Sequence, residues 1–389
     1  MDLLTPTSFR QLAAISAANC VSILMPTHTT GREVRQDPIR LKNLLKKAEE
    51  RLVARGERAA DARRQLEPLS RLIEDVSFWA HQQTGLAAFV AQQKPYLYAV
   101  PFAVPERVVV GQHCYVLPLA RILGEDIRFY VLAISPKRVQ LLNCTPHMAE
   151  EVALPGWPED FQDMMRYVEG EPQLQFRSEA RPTPETAGTV KSGMFHGHPG
   201  EDAESARKQR LLEFSRLIDR RLREAVGLAR TPLVLACDQR LATIYRESTD
   251  YPSVVQKPVA GNPDRCKPDE LRERAWEILA PNVARVREAS IARGHQAVER
   301  DEAAAELGDV ILAAHDGRVD TLLVCDDRQY WGHFDAQQRQ LDMHDSPAAE
   351  DEELLNLAMV MTLEQSGTVH VVTQDRLPDH KPAVAILRY

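Results

Sequence analysis

The sequence predicts a mixed chain, α+β at its start and α/β further on, divided into three domains. Three observations carry this. Short apolar runs closed by turn residues alternate with charged helical patterns along most of the chain. The 389 residues exceed one typical domain. A turn-rich joint, GNPDRCKPDE (261–270), separates a last alternating segment from what precedes it. The expected domains are 1–122, 123–265 and 266–389.

In the first segment, VSILMPT (21–27) is a short apolar run closed by Pro26 and reads as a strand. After a polar loop comes DPIRLKNLLKKAEERLVARGE, a well-marked helix. Asp37 suits the N-cap, and Pro38 suits the first helical position, where its missing N–H costs nothing. Ile39, Leu41, Leu44, Leu45, Ala48 and Leu52 recur at helical spacing, and Gly56 can close the helix. A second helical stretch, about 59–78, leads back to the strand TGLAAFVA (84–91) and on to LYAVPFAVP. The long helical hairpin between strands makes this an α+β module.

The second segment opens with RFYVLAIS and RVQLLNC, two apolar runs parted by Pro136 and Lys137, which is a hairpin pattern. Residues 155–200 are rich in Pro, Glu and Gly and read as a long excursion. A helix from about Glu201 to Leu228 buries Leu211, Leu212, Phe214, Leu217, Ile218, Leu222 and Val226, and PLVLAC follows as a buried strand. Beyond the joint, a long helix runs to about Arg293. Then come a helix (301–316), the strand VDTLLVC, a helix (350–365) and the strands TVHVV and AVAILRY. That alternation points to an α-β-α sandwich.

Composition excludes several classes. No apolar run approaches the length of a membrane span, and the first residues lack the pattern of a signal peptide. Six scattered cysteines (20, 114, 144, 237, 266, 325) without a CxxC pair argue for reduced, buried thiols and a cytoplasmic protein. A net charge of −8 gives the whole surface no attraction for nucleic acid, and no DNA partner is expected. Local charge differs. Residues 32–64 hold eleven Lys/Arg against six Asp/Glu, and residues 207–230 hold eight against three, each a net of +5. An acidic run, DSPAAEDEE (345–353), stands against them. Two basic patches on an acidic chain fit polyanion binding, or simply solvated helix faces.

Motifs for nucleotide hydrolysis, dinucleotide redox chemistry, α/β-hydrolase and zincin chemistry are absent from the sequence, and no cofactor is expected. The distinctive stretch is KSGMFHGHPGED (191–202). His196 and His198, with Glu201 and Asp202, could converge on a metal, but no second ligand cluster matches them, so no metal site is assigned. The other readings are an exposed polar loop, or a loop that enters a partner's site through its glycines. His315–Asp316, His333 and Asp342–His344 read as surface or helix-end residues. The four tryptophans (79, 157, 276, 331) read as core or interface, and no aromatic ladder supports stacking on single strands.

Three stretches resemble the bacterial branch of the archaeo-eukaryotic release factor and Pelota superfamily. SILMPT…RLKNLLKKAEERL…GLAAFVA is similar to its strand, helical hairpin and strand opening. GMFHGHPGED…SRLIDRRLREAV…PLVLAC resembles its central domain, and AAHDGRVDTLLV…GTVHVVTQD…AVAILRY its third. The resemblance implies a three-domain factor that enters the ribosomal A site, contacts rRNA and works with a translational GTPase. The stretch with Gly193, Gly197, Pro199, Gly200 and Glu201 lies where release factors carry Gly-Gly-Gln. That tripeptide is absent here, as is the codon-reading Asn-Ile-Lys-Ser. Pelota-type relatives lack both motifs and still bind ribosomes. The implied function is therefore binding to stalled or idle ribosomes, in rescue or hibernation, through Arg40, Lys42, Lys46, Lys47, Arg51, Arg207, Lys208 and Arg210. One alternative is peptidyl-tRNA hydrolysis in which His196 or His198 positions water. Another is a metal-dependent enzyme or stress protein that has left the ribosome.

Overall fold

The computed structural model describes residues 2–29, 31–124, 127–135, 138–153, 199–227 and 230–388. Its first sheet combines β1 (Asp2–Leu3), β2 (Ser16–Pro26), β3 (Gly85–Ala91), β4 (Lys94–Val100) and β5 (Arg107–His113), in the order β1-β4-β3-β2-β5. Strand β2 is central, with Ile23 opposite Ala88 of β3 on one side and Val108 of β5 on the other. From Cys20 to Met25 it is buried on both faces, which explains its unbroken apolar run. Val21, Ile23 and Met25 point toward the helices Asp37–Ala54 and Ala59–Ser70, meeting Leu41, Leu44, Ala48, Leu52, Leu66 and Trp79. Each such fully buried side chain contributes about 1.5–3 kcal/mol.

The helix Asp37–Ala54 differs from expectation at its start. A 3₁₀ turn, Arg32–Gln36, leads into it, so Asp37 is its first residue and not its cap. The Asp37 carboxylate is fully buried and accepts from the backbone N–H of His28 at 3.0 Å and from its ring Nδ1 at 3.0 Å. That side chain therefore ties down the loop after β2. Gly56 closes the helix as expected, with φ of 93°, a conformation that glycine adopts without strain.

The second sheet takes β6 (Phe129–Ile134), β7 (Val139–Cys144), β8 (Ala149–Val152) and β9 (Leu233–Ala236), in the order β8-β7-β6-β9. The β6–β7 hairpin is antiparallel, and β6 runs parallel to β9. The connection between those parallel strands includes the helix Pro199–Val226, whose Leu211, Phe214, Ile218 and Leu222 pack with Leu132, Leu235 and Tyr245. On the opposite face, Phe129 stacks on Trp276 with ring centroids 6.1 Å apart, beside Leu271, Ala275 and Leu279.

The third sheet joins β10 (Ala303–Ala304), β11 (Val319–Val324), β15 (Thr368–Val371) and β16 (Ala383–Leu387), in the order β10-β16-β11-β15. A small fourth sheet, with order β13-β12-β14, holds β12 (Trp331–Asp335), β13 (Gln340–His344) and β14 (Glu352–Glu353). The mixed α+β and α/β class is thus the one observed. The β5 strand and the β12–β13 hairpin go beyond the elements expected.

By contacts the chain forms two compact units, residues 1–126 with 282–389, and residues 127–281. Within the first, residues of the first sheet (Leu24, Phe89, Val109) share one apolar core with Val310, Ile311, Leu322, Leu355 and Val384. The helix Pro268–Glu299 gives residues to both units, and the division falls at Pro281.

Candidate nucleic-acid interface

In residues 127–281, the helix Pro199–Val226 gathers seven Lys/Arg from Arg207 onward, against six Asp/Glu of which three lie in its first six residues. It is held by its apolar face and by one buried carboxylate. Asp219, 2% exposed, accepts from the Thr249 hydroxyl and from the backbone N–H of Asp250 at 3.3 Å, and it pairs with Arg223 at 3.0 Å. With the helix so fixed, Lys208, Arg210, Arg216 and Arg220 lie exposed. Arg216 and Arg220, four residues apart, share one face. This pair was not among the cations expected from the sequence in this helix, which lie at its start. The signal was there, in two arginines flanking the buried Ile218.

Pro199, Gly200 and Glu201 form the first turn of this helix and are not part of a preceding loop. Proline is well placed there, where no intrahelical partner waits for its N–H. Gly193, His196, Gly197 and His198 lie outside the described residues, as does the side chain of Arg207.

In the N-terminal segment, the five expected cations divide by partner. Arg40 turns inward. It donates to the Pro26 carbonyl at 3.1 Å and pairs with Glu106 at 3.4 Å and Asp37 at 3.8 Å. Arg51 donates to the Val108 carbonyl, and burial of its guanidinium, with Arg107 nearby, lowers its pKa. Lys47 pairs with Glu106 at 3.8 Å. Lys42 is exposed, and Lys46, 79% exposed, reaches Glu50 only at 3.9 Å. Arg40 and Arg51 therefore hold the helix on its sheet, while Lys42 and Lys46 face solvent. The hairpin tip is also tied. Arg55 donates to Asn19 at 3.2 Å and to the Asp351 carbonyl at 3.0 Å.

Among the described residues no group of three or more His, Cys, Asp or Glu side chains could hold a metal ion. His315 lies 3.3 Å from Asp316, whose carboxylate accepts two bonds from Arg339 at 2.8 Å, so this pair is a surface ion network. His344 binds Asp351 at 2.9 Å. Cys20, Cys114, Cys144, Cys237 and Cys325 are buried free thiols, and Cys266 is half-buried. Trp79 and Trp331 are core residues, and Trp157 lies outside the described residues. Among those residues, no helix is long and apolar enough to cross a membrane.

Residues 128–318 match the model of bacterial archaeo-eukaryotic release factor family 3. No curated protein matches the chain. Among solved structures, Archaeoglobus fulgidus Pelota is 11% identical, with 100% of this chain and 94% of that chain covered and a TM-score of 0.28. The archaeal translation termination factor aRF1 is 12% identical, with 100% and 99% covered and a TM-score of 0.23. S. cerevisiae Dom34, described as a translation termination-like factor involved in RNA quality control and interacting with Hbs1, is 10% identical, with 76% and 73% covered and a TM-score of 0.31.

Proposed function

We propose that this protein is a cytoplasmic, ribosome-binding translation factor that enters the A site of stalled or idle ribosomes, in rescue or hibernation. The observation that carries the proposal is the family match over residues 128–318. The sequence lacks Gly-Gly-Gln, which favours a binding role over hydrolysis through that tripeptide. Segments 1–122, 123–265 and 266–389 act as its modules, and a translational GTPase is its expected companion.

Binding is carried by phosphate contacts from exposed cations. Lys42 and Lys46 serve in the first module, and Lys208, Arg210, Arg216 and Arg220 in the second. On a chain of net charge −8 these patches have to act locally, so affinity should fall steeply with salt. Co-sedimentation with 70S ribosomes over a salt series tests this. Binding at low salt that weakens steeply with added salt is the expected result. No pelleting even at the lowest salt rejects the function.

A further inference from the structure

The acidic run 345–353 reads in sequence as a charged surface. In the structure its end turns inward: Asp351 and Glu353 are 2% and 3% exposed, and Glu352 is mostly covered. Every residue from Asp351 to Glu353, and Asn356 beyond them, has a specific task. The Asp351 carbonyl takes the Arg55 guanidinium at 3.0 Å. One Glu352 oxygen accepts from the backbone N–H of Gln112 at 2.9 Å and of His113 at 3.1 Å, and from the His113 ring Nδ1 at 3.0 Å. Glu353 caps the helix Leu354–Glu364 by accepting from Asn356 N–H at 2.7 Å, and it also accepts from Tyr330 N–H at 3.0 Å. Asn356 accepts from Val116 and Leu117 N–H at 2.9 and 3.0 Å and donates to the Cys114 carbonyl at 3.1 Å. A void of only ≈ 10 Å³, lined in part by Gly111, His113, Glu352 and Asn356, sits among these groups and has room for about one water.

We propose that Asp351–Asn356 is a protonation-controlled latch that fastens the N-terminal segment to the C-terminal one, closed while charged His113 faces ionised Glu352 and loosened when His113 gives up its proton. Four backbone N–H groups of residues 112–117 depend on two side chains of this short segment, so opening it exposes or orphans all four together.

The surrounding charges set the direction. His113 meets Glu352, Cys20 of β2, and Glu364 at the end of the helix Leu354–Glu364. The hydrogen bond that the His113 ring donates to Glu352 is the main cause that raises the His113 pKa. Burial works against Glu352, but His113 and the two backbone N–H groups outweigh it and hold its pKa below the ordinary carboxylate value. Arg55, Asp351 and Glu350 flank that pair. Glu353 faces Arg107, Tyr115, Cys325 and, through Tyr115, Asp326, and burial pushes it up to about 7. A group whose pKa is raised on folding contributes fully below its unfolded value and loses that contribution as pH rises through the folded one. His113 and Glu353 both lose it on the alkaline side. Glu352, with a lowered pKa, loses its contribution only toward acid. The latch therefore loosens as pH rises.

The test is amide hydrogen exchange of the full chain at pH ~6 and pH ~8.5, either side of the ordinary histidine range. Rates are corrected for intrinsic exchange, and peptides from 129–144 serve as the internal reference. Protection over 107–117 should fall about tenfold or more between the two values, since burial pushes Glu353 up to about 7, while the reference stays level. A His113→Gln, Glu353→Gln double variant should lose this response. Equal wild-type protection at both values overturns the proposal, and so does a double variant that keeps the full response. Should the double variant not fold, the wild-type comparison decides alone. These outcomes are independent of whether the protein binds ribosomes.

Discussion

Replacing Asn356 by alanine probes the junction at a buried polar side chain that serves three backbone groups. Asn356 is 4% exposed and satisfies two backbone N–H groups and one carbonyl of residues 114–117. Alanine leaves all three without their partner. A buried polar group left unmade costs about 1–3 kcal/mol. The carbonyl keeps a second lone pair and costs least, so the sum is about 3–5 kcal/mol. The loss should fall on residues 1–126 with 282–389 and spare 127–281, which have separate cores. Urea denaturation followed by amide exchange separates the two. Peptides from β5 and the helix Leu354–Glu364 should unfold at much lower urea in Asn356→Ala, with peptides from β6 and β7 unchanged. A destabilisation under ~1 kcal/mol would refute the reasoning, because water would then have replaced the side chain at small cost. A loss shared equally by both sets of peptides would refute the assignment to one unit.

Other expectations follow from single residues. Glu353→Gln removes a carboxylate whose burial pushes it up to about 7. The stability difference between wild type and variant should then shift by up to about 3 kcal/mol in the variant's favour between pH ~4 and pH ~8, read from urea midpoints at several pH values. Gly332→Ala drives a Cβ into the Asp342 carbonyl oxygen of the paired strand. The β12–β13 hairpin must shift, and the expected loss of about 1–3 kcal/mol is measured by thermal unfolding. A Lys42→Glu, Lys46→Glu double variant should lower ribosome affinity at least about tenfold and leave the melting temperature unchanged, since neither side chain is buried. Arg51→Ala should instead lower the melting temperature, because its guanidinium serves the Val108 carbonyl.

Most regular elements were legible because their periodicity matched their environment. The helix Asp37–Ala54 shows its buried stripe at Leu41, Leu44, Leu45, Ala48 and Leu52, and β2 its run of apolar residues. The central helix was legible to within two residues at each end, 199–226 against about 201–228. β5 escaped because RVVVGQH carries no turn signal of its own and follows a proline-rich stretch. The β12–β13 hairpin escaped because its strand QLDMH is mostly exposed and polar, without apolar alternation.

The site was less legible than the fold, for a physical reason. Charge counts locate cations but not their partners. Arg40 and Arg51 look like Lys42 and Lys46 in sequence, and only the fold shows that the arginines reach backbone carbonyls beneath them. The acidic run reversed in the same way, since a stretch of Asp and Glu gives no sign that Glu353 caps a buried helix or that Glu352 gathers three N–H groups from β5.

The most direct test of the account is a cryo-EM map of 70S ribosomes incubated with the full-length protein and no messenger RNA. The account predicts density for the chain in the A site, with the helices Asp37–Ala54 and Pro199–Val226 against rRNA phosphates. Ribosomes with an empty A site at saturating protein, or density bound only elsewhere on the particle, would contradict it.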